Sequence, residues 1–281
     1  MDQKKAKELA IIAAKVRLYG LEAINSCHSG HIGGSYSIAD ILTVLYFDKM
    51  KNLDPKNPRN PDRDRFVLSK GHCSPALYPT LALRGYFPVE DLKTFRNVDS
   101  YLSGHVEMKH VPGVDMSAGS LGQGLSCAIG MALAGKIDKK DYRVYCAMGD
   151  GEIEEGQVWE AGMAAAKFKL DNLCAFIDVN GLQIDGTTEQ VMPSEPLDKK
   201  WEAFGWHVIK IDGHNLEEIS NAIDEAAGVK GKPTMILAKT VKGKGVSFME
   251  NQVGWHGKAP DEEKYQQAKA ELEANLAKLE G

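Results

Sequence analysis

No stretch of the 281-residue chain approaches the ~20 consecutive apolar residues that a bilayer crossing needs. A membrane-spanning protein is therefore not expected. No secretory leader is recognisable either. MDQKKAKELAIIAAKVRLYG carries positive charge and then apolar residues, but Lys15 and Arg17 interrupt them at helical spacing and no cleavage pattern follows. That stretch reads as an amphipathic helix. A basic stripe is also missing. The formal net charge is −5, so nucleic acid is not an expected partner. The cysteines are few and odd in number: Cys27, Cys73, Cys127, Cys146 and Cys174 are widely separated, with no CxxC pair. Reduced, buried thiols in a cytoplasmic protein fit this better than a disulfide framework or a thiolate metal site. Internal repeats, low-complexity tracts and an interdomain linker are absent, so residues 1–281 read as a single domain.

The positive signal is alternation. Helical patterns cover 3–26, 38–50, 75–86 and 89–96, with a short strand, RFVLSKGH, at 65–72 and a Gly/Ser-rich loop at 100–124. From there strands and helices take turns. YRVYCAM, NLCAFIDV, WHVIKID and PTMILAKTV are apolar, strand-like runs, separated by helical patterns and followed by a charged C-terminal helix. This order predicts right-handed βαβ crossovers, hence an α/β fold with a mostly parallel central sheet and helices on both faces.

Two punctuation marks sit at the ends of successive strands. Asp150 stands between Gly149 and Gly151 just past YRVYCAM, and Asn180 stands just past LCAFIDV. Ligands of open parallel sheets collect outside the carboxyl ends of the strands, so both side chains are placed to face one crevice. The helix beginning near Glu155 would aim its positive N-terminal dipole at the same place. One carboxylate, one amide oxygen and a backbone carbonyl, that of Leu182, form an oxygen-only donor set suited to Mg²⁺ shared with phosphate oxygens. The first βα turn has no GxGxxG, which excludes the dinucleotide fingerprint. Either motif alone is better explained by a tight turn; the pair in register with a βαβ unit favours a diphosphate site. Four of the eight histidines (His31, His72, His105 and His256) lie beside glycine in loops. They can face a cleft and suit recognition of a polyhydroxylated substrate.

At these residues the chain resembles the transketolase family, in its N-terminal diphosphate-binding part. The resemblance runs through SGHIGG (29–34), DRFVLSKGH (64–72), SGH (103–105), GSLGQGL (119–125), GDGEIEEGQVWEA (149–161), DVNGLQIDG (178–186), DGHN (212–215), KTVKGKG (239–245) and WHGKAP (255–260). It implies thiamine diphosphate held by Mg²⁺, or by Ca²⁺ or Mn²⁺, on Asp150, Asn180 and the Leu182 carbonyl. Gly151 is implied as a diphosphate contact through its amide. Gly119, Ser120 and Leu121 are implied beside the cofactor's pyrimidine and ring edge, Ile184 near the thiazolium, and Lys242 near the cofactor. His31 and His256 match residues that contact the donor sugar and assist proton movement; His72 and His105 match residues near cofactor and substrate. Glu155 matches an acidic residue that buttresses the cofactor-activating carboxylate across the subunit interface. Glu152 and Glu154 are expected on a solvated helix edge. His28, His110, His207 and His214 are given no role. Gly34 departs from the family pattern, where some members carry a small hydroxyl residue, and so removes the basis for a side-chain contact there.

The family's activating glutamate and the residues that hold the donor's phosphate belong to further domains, which need roughly 300 more residues. The expectation is therefore an N-terminal subunit of a split transketolase, acting on phosphorylated sugars with a separate C-terminal subunit in a two-fold assembly of two such pairs. The face around Gly119–Gly124 and the Ala/Gly-rich helix after Glu155 are the expected interface, or else internal packing. Three alternatives remain open: a deoxyxylulose-phosphate synthase-like or other sugar-catabolic thiamine enzyme, an α subunit of a 2-oxo-acid dehydrogenase, and a noncatalytic partner-binding homologue.

Overall fold

Five parallel strands form the centre of the protein, in a computed structural model that describes residues 1–281. In chain order they are β1 (Arg65–Leu68), β2 (Val144–Gly149), β3 (Leu173–Val179), β4 (His207–Asp212) and β5 (Thr234–Lys239), and they lie side by side as β1-β2-β3-β5-β4. Register is set by the pleat. Tyr145, Ala147, Cys174, Phe176, Ile236 and Ala238 point to one face, and Cys146, Met148, Ala175, Ile177, Met235 and Leu237 to the other. Both faces are buried except at edge strand β4, which explains why the other four strands read as near-continuous apolar runs rather than alternating ones.

On the side of the first face, α1 (Gln3–Cys27), α2 (Ile32–Val44), α3 (Ser74–Arg84), α8 (Leu216–Gly228) and α9 (Glu262–Glu280) share a core cluster of 47 buried residues, with α9 laid against α1. The opposite face holds α4 (Gln123–Ile137), α5 (Gly156–Lys167) and α7 (Leu197–Ala203) around a second cluster of 22 residues, centred on Trp201. A short α6 (Thr188–Val191) lies on the loop after β3.

Local chemistry accounts for the helix ends. The side chains of Asp2, Asn215 and Asp261 accept amides of the first turns of α1, α8 and α9. The sequence expectations hold for the architecture and slip at boundaries. α2 begins at Ile32 rather than 38, because Gly33 and Gly34 are helical. The strand expected at 65–72 stops at Leu68, and the stretch 89–96 is a 3₁₀ helix over Val89–Thr94. Cys73, Cys146 and Cys174 are buried free thiols, whereas Cys127 is exposed on α4, against the expectation of burial.

Candidate functional site

The carboxyl ends of β1, β2, β3 and β5 open onto one cleft of about 310 Å³. It is lined by His31, His72, His105, Gly119, Leu121, Asp150, Gly151, Asn180, Leu182, Ile184, Lys242 and His256, all anticipated from the sequence. Ser120 and Glu155 are not among the lining residues. Both are exposed, Glu155 as the residue before the first turn of α5.

Asp150 is 3% exposed. Its Oδ1 accepts the Gly151 amide at 3.0 Å and its Oδ2 accepts the Gly181 amide at 2.5 Å. Burial, reinforced by the nearby Asp178 charge, pushes its carboxyl up to about 6. It is thus a carboxylate whose charge calls for a cation. Asn180 Oδ1 accepts the Leu182 amide (3.1 Å), and its Nδ2 donates to Asp178 (3.3 Å), which sets the amide's orientation. The Leu182 carbonyl faces the same side and accepts Lys242 Nζ at 2.9 Å. Lys242 is 1% exposed and its ammonium also lies 2.9 Å from His256 Nδ1. Burial lowers its pKa to about 8, against the pull of Asp150.

Below this layer lies a fully buried ion pair. Lys70 donates to Asp178 and to the Gly34 carbonyl, and Asp178 also accepts Ser37 and Thr240 hydroxyls. Burial would neutralise both partners. Their mutual attraction overrides it, holding Lys70 above and Asp178 below their ordinary ranges.

The four imidazoles form one cluster. Ring centroids are 5.0 Å apart for His31–His72, 5.8 Å for His31–His105, 5.6 Å for His31–His256 and 5.3 Å for His72–His256. Burial, with His105, Arg96 and Lys242 adding positive potential, lowers His31 to about 4. Burial with Lys242 and His31 lowers His256 to about 3. His72 and His105 shift the same way, first through burial. At neutral pH all four are uncharged and free to accept or donate a hydrogen bond. His31 Nδ1 is buried and has no partner within the chain.

One expectation is overturned. Glu152 does not sit on a solvated edge; it is buried and lines the cleft. Its carboxylate accepts the Ser69 hydroxyl and the amides of Gly122 and Gly149, both at 3.0 Å. It therefore ties together the end of β1, the loop entering α4 and the end of β2. A 3₁₀ turn at Glu152–Glu154, which precedes α5, rotates the side chain inward; helical periodicity started from Glu155 could not foresee it. Glu154, half-buried, accepts Gln183 Nε2 at 2.8 Å.

A family model for "Transketolase, thiamine diphosphate binding domain" matches residues 8–279. The chain belongs to the transketolase family. It is 52% identical over 258 residues to SqwG, a 6-deoxy-6-sulfo-D-fructose transketolase subunit of Clostridium sp. (strain MSTE9), covering 92% of this chain and 94% of that one. It is 44% identical over 276 residues to an apulose-4-phosphate transketolase subunit of Phocaeicola vulgatus, covering 98% of each. The transketolase from Campylobacter jejuni superposes with a TM-score of 0.89 at 34% identity; 99% of this chain matches only 46% of that longer one. So the fold is the thiamine-diphosphate-binding fold of transketolases, and the chain corresponds to under half of that longer chain.

Proposed function

We propose that this chain is the N-terminal subunit of a two-chain transketolase that moves a two-carbon ketol unit from a ketose phosphate to an aldose phosphate. The observation that carries the reading is the convergence of Asp150, Asn180 and the Leu182 carbonyl with four neutral imidazoles on one cleft. The two relatives named as subunits, matched over nearly their whole lengths, support a separate C-terminal partner. Five free cysteines support a cytoplasmic setting.

The residues fit the cofactor and its metal. The donors are oxygen only, which suits Mg²⁺, Ca²⁺ or Mn²⁺. Asp150 is a buried carboxylate in need of a cation. A Cβ on Gly34 would lie 3.6 Å from Lys70 Nζ and 3.7 Å from His72 Nε2, so its absence leaves that wall open. When bound, thiamine diphosphate supplies the carbon nucleophile that carries the ketol unit.

The chain's own residues do the rest. Asp150, Asn180 and the Leu182 carbonyl hold the cation, and Lys242 adds positive charge for the diphosphate. The Gly151 amide, which donates to Asp150, would be a contact for the diphosphate. Gly119, Ser120, Leu121 and Ile184 border the cofactor rings. His31 and His256 meet the donor's hydroxyls and carbonyl, and His72 and His105 complete the wall. A neutral imidazole accepts a hydrogen bond at one nitrogen and donates at the other, so the cluster can engage both the hydroxyls and the carbonyl of a donor sugar. Glu155, exposed, meets the activating carboxylate of the partner.

The outward side of α4 and α5 is the proposed interface of a two-fold assembly. Met163 is 55% exposed, and nothing lies within 4 Å of a Cβ at Gly130 or Gly156. Ala161, Gly162 and Ala165 pack inward instead, Gly162 against Trp201, so only part of the small-residue face is available.

Mixing the chain with its C-terminal partner and assaying ketol transfer from xylulose 5-phosphate, 6-deoxy-6-sulfo-fructose and apulose 4-phosphate tests the reading. Activity appearing only on mixing supports it. No transfer from any donor, with both subunits folded and associated, refutes it.

A further inference from the structure

His214 stands behind the cleft, on the turn between β4 and α8. Its Nε2 accepts the Val241 amide at 2.8 Å, so its proton sits on Nδ1, which donates to Asp40 Oδ2 at 2.7 Å. Asp40, on α2, is in turn gripped by Arg17 of α1 through both oxygens, at 3.2 and 2.5 Å. The pair with Arg17, together with the bond from His214, overcomes burial and holds Asp40 down at about 2. Arg17 also donates twice to the Tyr36 carbonyl, which anchors it to α2. The arrangement is a chain of fixed polarity: guanidinium, carboxylate, neutral imidazole, backbone amide.

The amide at its end matters because of where it lies. β5 ends at Lys239, so Val241 is past the sheet's ladder and needs another acceptor. The residue that follows is Lys242. Close packing brings the two turns together: a Cβ on Gly213 would lie 2.5 Å from Thr240 Cγ2, so only glycine lets the His214 turn approach. On the other side, the Lys242 stem lies against Gly33, where a Cβ would come within 2.8 Å of its Cγ. With its stem wedged and its backbone clamped, Lys242 has little freedom, and its ammonium reaches the Leu182 carbonyl and His256 together.

We propose that His214 is a positioning residue for Lys242: the Asp40–His214–Val241 relay holds the Thr240–Lys242 backbone so that the ammonium is presented to the diphosphate. The inference rests on the reading of Lys242 as a diphosphate contact. His214 touches neither cleft nor substrate; it acts through one backbone bond. Losing that bond leaves a half-buried donor unmet and frees the segment to drift, and a lysine displaced by an ångström no longer spans both of its partners.

Two measurements on the full chain test this. In hydrogen–deuterium exchange, His214→Ala is expected to speed exchange of the Val241–Lys242 segment at least tenfold while β3 is unchanged. In calorimetric titration with inorganic pyrophosphate and Mg²⁺, Lys242→Met and His214→Ala are each expected to weaken binding about tenfold. In the Lys242→Met background, His214→Ala should add no further loss, because its effect passes through the lysine. His214→Gln, which keeps an acceptor and a donor, should restore most of the affinity. If His214→Ala does not fold, His214→Asn, too short to span both partners, takes its place. Equal losses in both backgrounds, or unchanged exchange at Val241, overturn the proposal. Unchanged affinity for Lys242→Met alone overturns instead the reading of the lysine on which it stands.

Discussion

The carboxylate of Asp150, past the end of β2, accepts the amide of Gly181, past the end of β3, at 2.5 Å. The two strand ends that carry the proposed metal donors are thereby joined by one of them. Asp150→Asn keeps the shape and removes the charge. Affinity for Mg²⁺ with thiamine diphosphate is expected to fall at least tenfold, about 1.4 kcal/mol. The fold should survive, because a buried carboxylate with a raised pKa is itself a burden on it. Calorimetry with a thermal melt checks both; unchanged affinity removes Asp150 from the metal set.

Glu152 is expected to matter for stability as much as for binding. Glu152→Ala leaves the Ser69 hydroxyl and two buried amides without an acceptor, at roughly 1–3 kcal/mol each. Urea unfolding should therefore show a loss of several kcal/mol with the slope unchanged. A loss under about 1 kcal/mol would mean the three loops are not tied by this side chain.

The histidine cluster predicts a pH dependence of folding. His31 and His256 have folded pKa values lowered to about 4 and about 3, while an unfolded imidazole titrates near 6.5. Between those values the unfolded chain binds protons that the native chain refuses. The stability from these groups is therefore complete above about pH 6.5 and is lost as pH falls toward 4. His31→Gln with His256→Gln should flatten the fall in Tm between pH 7 and pH 5. An undiminished slope would place the titrating groups elsewhere.

The same two histidines should divide catalysis from cofactor binding. In the two-subunit enzyme, His31→Ala and His256→Ala are expected to lower kcat/KM for the donor sugar by one hundredfold or more, with thiamine diphosphate affinity within a few-fold of the parent. A variant that lost cofactor and nothing else would have been given the wrong role.

Gly130 predicts effects of opposite sign in two states. A Cβ there meets no neighbour, and alanine favours a helix over glycine by about 0.5–1 kcal/mol. Gly130→Leu should thus raise the Tm of the isolated chain and weaken the two-fold assembly that it forms together with the C-terminal subunit. Sedimentation of the mixture separates the outcomes; undiminished association would move the interface away from α4.

Much of this is legible in the chain because strands buried on both faces must read as apolar runs, and loops at their ends must carry glycine and polar side chains. Asp150 and Asn180 are visible for that reason. Glu152 is not, since a single 3₁₀ turn decides whether it faces water or the cleft. His214 lies within DGHN, yet nothing local gives it a role; its partners lie 174 and 27 residues away, and no local pattern records such a distance. The start of α2 slips because Gly33 and Gly34 defy their propensity, held by tertiary packing.

Glu152 ties the floor of the cleft through main-chain amides, whereas Leu121 and Ile184 at its rim are exposed, Ile184 by 65%. The precision of the floor thus belongs to the backbone, and the rim is free to vary without disturbing it. Such a division separates two kinds of tolerance: a substitution at Leu121 or Ile184 reshapes the mouth of the cleft, yet leaves the strand and loop ends where Glu152 holds them.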